Sequence, residues 1–428
     1  MNAQSAASNS PPNGPVFGHA VVIGGSIAGL TAARVLSDHF ARVTVLERDH
    51  LPEAPEFRSG APQARHIHTL PLRGQAILEG YFPGLAAELL ASGATSIHDS
   101  GQVAFFRAGG WHALRDHSAI MSISFSRPLL ENVLVRRVAA LPGVHIVQES
   151  DVVGLRVDET GQRVSGVRWR PRHTQAVHEV ELAADLVVDA SGRDSRAPQW
   201  LASLGYTPPQ ETTVNAFAGY ATRIYQRPGG FAADWVTMHI KPTPPDSSRG
   251  GVIIPIEGDR WHVTLAGMGG DYPPIDEQGF MDFARSLPSP RLDQAIQAAE
   301  PLTKPYGYRR GENRLRHYDK LPRYLEGFLV YGDAVLVLNP VYAQGMTMVA
   351  LGSLALEHSM AAHVHQGGTG GLVGLAGSFQ KQLSRVTASA WQMVTREDRR
   401  WPAAETVDHV SSTARQRTPA LPMRPALA

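Results

Sequence analysis

The chain has 428 residues, of which 43% are hydrophobic and 18% are charged, and its formal net charge is +1. This length allows two packed cores, or one core with a large insertion. The near-neutral charge gives no field that would attract nucleic acid or an anionic membrane. Cysteine is absent, which excludes disulfides, cysteine-ligated zinc, iron–sulfur clusters and thiol chemistry. A redox function would therefore need a bound organic cofactor.

Residues 1–17 are polar and rich in Ser, Asn and Pro, so we expect a disordered leader rather than a signal peptide. The most apolar stretch, residues 328–356, is interrupted by polar residues and a proline, which argues against a transmembrane segment. We therefore expect a cytoplasmic protein without a membrane span.

The stretch "VVIGGSIAGLTAAR" predicts a strand, a tight turn and a helix, and "ARVTVLER" predicts a second strand. It nearly matches the dinucleotide fingerprint G-x-G-x-x-G, with Ser26 in the middle position between Gly24 and Gly29. Serine is small and can donate to a phosphate oxygen, so the pattern is weakened but not broken. Glu47 ends the second strand, where an acid binds a ribose, and Arg48 beside it could lie over an adenine ring. The alternative, a glycine turn without a ligand, is less favoured because the strand, helix and acid are all present.

Further along the chain, the patterns predict an α/β protein with an inserted sheet. The N-terminal part reads as a Rossmann-like domain, and residues 205–325 read as short antiparallel strands rich in Pro, Gly and aromatic residues. The predicted divisions are a nucleotide-binding domain at 18–204 with a wrapping loop region at 50–125, a substrate domain at 205–325, a return to the first domain at 326–360, C-terminal helices at 361–402 and a disordered tail at 403–428.

The stretch "GDAVLVLNPVYAQGMTM" indicates which dinucleotide binds. Asp333 ends a predicted strand, where it could accept hydrogen bonds from sugar-like hydroxyls. Gly345, Met346 and Thr347 begin a predicted helix, whose free N–H groups and positive dipole suit a ring that becomes anionic on reduction. FAD has both a ribityl chain and such a ring, whereas NAD has neither.

Four segments carry a resemblance to FAD-dependent monooxygenases of the aromatic hydroxylase type, most closely the squalene epoxidase and polyether epoxidase branch. They are "VVIGGSIAGL…VLER", "FRSGAPQARHIHTL", "DASGRDSR" and "GDAVLVLNPVYAQGMTM". The resemblance extends over residues 18–402 and implies a Rossmann-like FAD-binding domain, an inserted antiparallel-sheet substrate domain and a C-terminal helical segment. One departure is Ala343, which stands where many hydroxylases have the first glycine of G-Q-G, so we expect the flexibility of this loop to differ.

The resemblance also implies three groups of FAD-binding residues. Those at the pyrophosphate, phosphate or ribityl region are Gly24, Ser26, Gly29, Arg58, Arg127 and Asp333. Those at the adenosine are Glu47, Arg48 and the backbone of Val152. Those beside the isoalloxazine are Gly345 and Met346.

The sequence has one dinucleotide fingerprint and no second one for NAD(P)H, so we expect a tightly but non-covalently bound FAD to receive electrons from transiently docked NADPH or from a partner flavin reductase. The resemblance then implies that reduced flavin traps dioxygen as a C4a-hydroperoxide and epoxidises a C=C bond of a hydrophobic polyketide or terpenoid-like intermediate. No catalytic residue is assigned, because the sequence shows no hydrolytic triad, no paired carboxylates and no metal motif, and an epoxidase needs none. The alternatives are phenol hydroxylation, reduction of isoprenoid double bonds, and a flavoprotein without activity. Halogenation is set aside because the chain lacks the Trp-x-Trp-x-Ile-Pro stretch of flavin halogenases.

Three further sets of residues have two interpretations each. His66 and His68 could bind a metal, but hydrogen-bonded loop histidines near the flavin are favoured. Arg193 and Arg196 could dock an NADPH phosphate or form surface salt bridges. A set of bulky side chains on the inserted sheet is expected to pack singly in the core, although as a group they suit the face toward the flavin: Phe217, Tyr220, Trp235, Met238 and Trp261.

Overall fold

The computed structural model describes residues 16–98, 100–107, 109–112, 122–172, 178–365 and 371–410. The predicted leader lies outside these residues up to position 15, and the first strand begins at Phe17. Residues 411–428 of the predicted tail also lie outside them.

Within the described ranges the helices are α1 (Ile27–Leu36), α2 (Leu72–Tyr81), α3 (Leu85–Ala91), α4 (Arg127–Ala139), α5 (Ala197–Ser203), α6 (Glu277–Arg285), α7 (Arg291–Gln297), α8 (Gly345–His365) and α9 (Leu375–Asp398). The first strands are β1 (Phe17–Ile23), β2 (Phe40–Leu46), β3 (Thr95–Ile97), β4 (Val103–Arg107), β5 (Gly110–His112), β6 (Ser122–Ser124) and β7 (Val144–Val147). They are followed by β8 (Ser150–Val157), β9 (Val164–Pro171), β10 (Val180–Ala183), β11 (Leu186–Asp189), β12 (Gln210–Asn215), β13 (Gly219–Gln226), β14 (Thr237–Ile240), β15 (Arg249–Ile256) and β16 (Arg260–Gly267). The last are β17 (Glu300–Pro301), β18 (Tyr306–Tyr308), β19 (Asn313–Arg316), β20 (Phe328–Val330), β21 (Leu336–Val337) and β22 (Glu405–Val410).

A five-stranded parallel sheet forms the centre of the nucleotide-binding domain, in the order β20-β11-β1-β2-β7. The last five residues of β1 are buried, as expected for a strand covered on both faces. Helix α1 connects β1 to β2, and eight of its ten residues are buried. The predicted α/β class and Rossmann-like core are confirmed.

The inserted sheet has eight strands in the order β17-β13-β16-β15-β14-β4-β5, with β18 also paired to β13. Most of its pairs are antiparallel, as predicted, but β4 runs parallel to β14. Strands β4 and β5 come from the predicted wrapping region, so the sheet extends beyond the predicted 205–325 insertion. Helices α6 and α7 cover one face of the sheet and close a hydrophobic core of their own.

Near the C-terminus, helices α8 and α9 pack against each other and against the parallel-sheet domain. Strand β22 follows α9 and pairs antiparallel with β12 in a four-stranded sheet, β21-β19-β12-β22. The prediction of a disordered tail from residue 403 is therefore wrong for 405–410, because the backbone of this segment pairs with an inserted strand.

Candidate cofactor and substrate site

At two positions of the first turn only glycine fits, because another part of the backbone comes too close for a side chain. A Cβ at Gly24 would lie 2.7 Å from the carbonyl oxygen of Ala190, and the φ of Gly24 is +101°. A Cβ at Gly29 would lie 1.7 Å from the carbonyl oxygen of Gly24. Ser26 is the N-cap of α1 and its side chain makes no cap hydrogen bond, so the N–H groups of the first turn are available to a ligand.

The hydroxyl of Ser26 joins this turn to the start of α4. It donates to the carboxylate of Glu131 and accepts from Nη2 of Arg127 at 2.9 Å. Burial opposes ionisation of Glu131, but Arg127 and Arg58 outweigh it, so the pKa of Glu131 is lowered. Arg127 also donates to Nε2 of His68 at 3.1 Å.

A buried group of charges lies on the other side of the turn. Glu47 accepts from the N–H of Gly25 at 2.5 Å, so the acid predicted to bind ribose is in contact with the fingerprint. Nη1 of Arg58 lies 3.1 Å from Glu47 and 3.0 Å from Asp49, and its Nε lies 3.5 Å from Glu131. Burial alone would lower the pKa of Arg58, but these three carboxylates raise it.

Arg48 and Val152 were the other predicted adenosine contacts. Arg48 is exposed, and its Nη2 reaches the carbonyl oxygen of Gly60 at 3.4 Å. Strand β8 begins beside the end of β2, where the N–H of Ser150 donates to the carbonyl of Glu47 at 2.8 Å. The side chain of Val152 is buried in the main core, and a β-bulge directly follows it.

A first cleft, with ≈ 290 Å³ of empty space, opens at this end of α1. Its lining includes Gly25, Arg58, Glu131 and residues of the segment 51–56. Gly25 of the predicted turn and Arg58 therefore border one cleft, and Glu47 contacts both of them from outside its lining.

A second cleft, with ≈ 250 Å³ of empty space, lies at the carboxyl end of β20. Asp333 and Gly345 both line it. Within the described part of the chain, the Asp333 carboxylate has no hydrogen-bond or ion-pair partner. Burial raises the pKa of this carboxyl, and the positive charges of Arg127, Arg193 and Arg314 oppose the rise. Such a carboxylate is available to accept hydrogen bonds from a ligand.

The start of α8 is open toward the same cleft. A Cβ added to Gly345 would meet no atom within 4 Å. Met346 is buried, as a side chain directed into the core. A Cβ at Gly332 would lie 2.8 Å from Cβ of Ala28, so the turn that carries Asp333 packs against the first turn of α1. The two clefts therefore flank the same helix end.

Sequence reasoning missed Asp49 and Glu131 as members of this site. Glu131 lies four residues after Arg127 on a helix that the sequence predicts, so their i,i+4 spacing was an available signal. Arg193 forms a salt bridge with Glu312, and Arg196 is exposed at the start of α5. Arg193 therefore forms the expected ion pair, although its side chain is largely buried rather than on the surface.

The bulky residues of the inserted sheet do not share one face. Trp235, Met238 and Trp261 pack in the core under α6 and α7, whereas Tyr220 is not part of that core. Phe217 is half-buried in the short connection between β12 and β13, with a φ of +50°. The expectation that each packs singly in the core is therefore confirmed for Trp235, Met238 and Trp261. They do not form one surface together with Tyr220, because alternate residues of a strand point to opposite faces.

The opposite face of the sheet is polar and is covered by the 65–68 segment. Nδ1 of His66 lies 2.8 Å from the hydroxyl of Thr222, and its ring lies 5.9 Å from that of Tyr220. Nε2–H of His262 donates to the carbonyl of Arg65 at 3.0 Å. Nδ1 of His262 and the hydroxyl of Tyr220 are buried without a partner among the described residues.

Burial keeps the histidines here neutral. It lowers the pKa of His66 and of His262 to about 4, and lowers that of His68 well below its usual value. Among the residues that the structure describes, no three His, Asp or Glu side chains are grouped as metal ligands. The hydrogen bonds of His66 and His68 match the loop-histidine interpretation.

Comparison with known proteins agrees with this geometry. The family described as FAD binding domain matches residues 19–374. A Mycobacterium tuberculosis protein, Protein Rv3254, is 37% identical over 384 residues, covering 88% of this chain and 79% of that protein. The fold of this chain is therefore that of an FAD-binding flavoprotein enzyme. The chain belongs to the FAD binding domain family.

Solved structures with the same fold include enzymes of two kinds. One is PqsL, a probable FAD-dependent monooxygenase from Pseudomonas aeruginosa, with a TM-score of 0.58 and 16% identity over 89% of this chain and 94% of that chain. Another is the flavin-dependent brominase Bmp2, with a TM-score of 0.60 and 16% identity over 81% of this chain and 80% of that chain. A third is the myxobacterial chondrochloren halogenase CndH, with a TM-score of 0.60 and 17% identity over 89% and 82%. At these identities the likeness establishes the fold. None of the helices among the described residues combines the length and the apolar composition that a membrane span requires.

Proposed function

We propose that the chain is an FAD-dependent monooxygenase that epoxidises a C=C bond of a hydrophobic polyketide or terpenoid-like intermediate. When bound, FAD supplies the redox chemistry by which one atom of dioxygen enters the substrate. The observation that carries the proposal is the unpartnered Asp333 carboxylate beside the open start of α8, in a cleft packed against the first turn of α1. These features match the ribityl chain, the pyrimidine edge of a flavin ring and the pyrophosphate of one extended ligand.

Different groups around the two helix ends bind different parts of the cofactor in this proposal. Three carboxylates and two arginines lie there, so the arginines are largely neutralised. The Ser26 hydroxyl already donates to Glu131, so the pyrophosphate depends mainly on the first-turn N–H groups of α1. Asp333 accepts from ribityl hydroxyls, and the positive end of α8 lies beside the ring that gains negative charge.

The polar face of the inserted sheet favours a substrate that reacts without being deprotonated by a general base. A phenol hydroxylase benefits from a general base whose pKa lies near the working pH. On the polar face, Nδ1 of His262 has no partner among the residues that the structure describes, and burial lowers the pKa of His262 to about 4. Such a group withdraws a phenolic proton poorly. Phenol hydroxylation remains the second candidate because the same acceptor and the Tyr220 hydroxyl could bind a substrate hydroxyl group.

The electron donor is part of the same proposal. The sequence has one dinucleotide fingerprint, so NADPH would dock transiently or a partner flavin reductase would supply the electrons. Stopped-flow reduction of the FAD-loaded chain by NADPH alone would separate these two routes. If NADPH alone reduces the FAD slowly and an added flavin reductase makes the reduction fast, a partner flavin reductase is the electron donor.

The experiment for the reaction is product analysis under ¹⁸O₂. The FAD-loaded chain is incubated with a reductant, sodium chloride and bromide, and a panel of polyenes and phenols. We expect an epoxide that carries one ¹⁸O atom, and no product without dioxygen. A labelled catechol would support the second candidate, a saturated and unlabelled product would indicate a reductase, and a halogenated product would contradict both oxygenation proposals.

A further inference from the structure

A buried carboxylate at the end of α9 lies outside the proposed chemistry. Asp398 is the last residue of α9, and its side chain, like those of Asn313 and Asn339, is fully buried. Within the described residues it forms no ion pair, although burial raises its pKa. A buried charge without a cation is costly unless hydrogen bonds satisfy it, so its partners indicate what it does.

Three neutral side chains donate to this carboxylate. Oδ1 of Asp398 accepts from the hydroxyl of Tyr342 at 2.7 Å and from Nδ2 of Asn339 at 3.2 Å. Oδ2 accepts from Nδ2 of Asn313 at 2.5 Å and from Nδ2 of Asn339 at 3.1 Å. Because all these partners are donors, the arrangement requires two acceptor oxygens and matches the ionised form.

Asn339 and Tyr342 belong to the loop that leads into α8. The side chain of Asn339 caps this loop by accepting from the N–H of Val341 at 3.2 Å. Trp401, three residues after Asp398, is buried in a small cluster against which Val341 packs. Asp398 and Trp401 together therefore contact three residues of the 339–344 loop: Asn339, Val341 and Tyr342.

The loop needs such support because Ala343 has left-handed backbone. Its φ is +54°. This conformation is unfavourable for alanine, because its Cβ clashes with the backbone, whereas glycine adopts it freely. Strained backbone persists where surrounding contacts determine it. Ala343 lies two residues before Gly345, so its conformation sets the direction in which α8 begins.

We propose that Asp398 is a positioning residue that holds the 339–344 loop, with Ala343 left-handed, so that the first N–H groups of α8 are directed at the flavin ring. The inference rests on the proposed placement of FAD between α1 and α8. Asp398 acts through Asn339 and Tyr342 rather than by touching the cofactor.

The test compares two variants with a matched control. Asp398→Asn keeps the size of the side chain but offers one acceptor oxygen to three donors. Tyr342→Phe removes one donor and leaves the carboxylate charge in place. Asp293→Asn is the control, because Asp293 is also buried but lies on α7 and accepts from Gln297. The measurements are the affinities of the full-length chain for oxidised and for reduced FAD, and the melting temperature.

We expect Asp398→Asn to weaken binding of reduced FAD about tenfold more than binding of oxidised FAD, which lowers the two-electron potential by about 30 mV. The reason is that the helix N-terminus favours the anionic, reduced ring. Tyr342→Phe should shift the potential in the same direction by less, and Asp293→Asn should leave it unchanged. A higher potential in Asp398→Asn would show that the carboxylate acts by its charge, and would overturn the positioning role.

A second substitution distinguishes positioning from general stability. If Asp398 acts by holding Ala343, then Ala343→Gly should restore part of the lost affinity in the Asp398→Asn chain and change the wild-type chain little. A purely structural role of Asp398 predicts a lower melting temperature, unchanged relative affinities and no rescue. If Asp398→Asn fails to fold, Tyr342→Phe with and without Ala343→Gly gives the same comparison. A wild-type chain that binds no FAD would refute the proposed function itself, whereas normal FAD binding with no effect of these variants would refute this inference alone.

Discussion

Replacing Gly29 by alanine tests the first turn of the cofactor site. The added Cβ would lie 1.7 Å from the carbonyl oxygen of Gly24, where an ordinary contact is 3.4–4 Å. The Cβ and the carbonyl oxygen are both fixed directly to the backbone and cannot rotate away, so the turn and α1 must separate by more than 1 Å. Overpacking of this kind costs about 1–3 kcal/mol. If a cost of about 3 kcal/mol falls entirely on the conformation that binds FAD, the substitution weakens FAD binding about 100-fold.

The assay is a titration of the full-length chain with FAD, followed by quenching of flavin fluorescence, together with a thermal melt. Gly80→Ala is the matched control, because a Cβ there meets no atom within 4 Å and the residue is exposed on α2. We expect the control to bind FAD as the wild type does and to melt at the same or a higher temperature. If Gly29→Ala binds FAD with wild-type affinity, the turn does not approach the cofactor as we describe.

Three further predictions concern the second cleft and the buried histidines. Asp333→Asn should weaken FAD binding about tenfold, since an amide replaces a charged acceptor; unchanged affinity would exclude this carboxylate from the site. Gly345→Ala should leave the melting temperature unchanged, because space is open above it, yet weaken FAD binding; equal affinity would place the ring elsewhere. The pKa values of His66, His239 and His262 are lowered to about 4 by burial. Between pH 6.5 and 4 the unfolded chain therefore binds protons that the folded chain does not, so stability falls as the pH falls, by about 2 kcal/mol per histidine at pH 5. Urea unfolding at pH 7 and pH 5 measures this, and His262→Gln should show a smaller difference; equal stability at the two pH values would contradict it.

The parts of the site that sequence reasoning predicted are those encoded by local spacing. Gly24, Gly29 and Glu47 lie within one strand–helix–strand unit, and the turn and its acid can be found from their separation alone. The start of α8 was likewise predicted from a strand, a loop and a helix in succession. In each case short-range backbone geometry decides the arrangement.

The parts that were missed depend on contacts between distant segments. Asp398 is 85 residues from Asn313 and 59 from Asn339, and no pattern in a single sequence pairs them. Strand β22 reads as a polar tail because "ETVDHV" has little apolar character, and it is ordered by pairing with β12. The grouping of Trp261 and Met238 with Tyr220 failed for a related reason. Strands buried on both faces do not reveal which face the helices cover.

The measurement that tests the account most directly is a crystal structure of the chain grown with FAD. We predict one FAD per chain, with its pyrophosphate at the first turn of α1, a ribityl hydroxyl within hydrogen-bond distance of Asp333 and the pyrimidine edge of the ring at Gly345 and Met346. A flavin ring bound away from the start of α8, or density for the adenosine half alone, would contradict the claim that these two helix ends hold one cofactor.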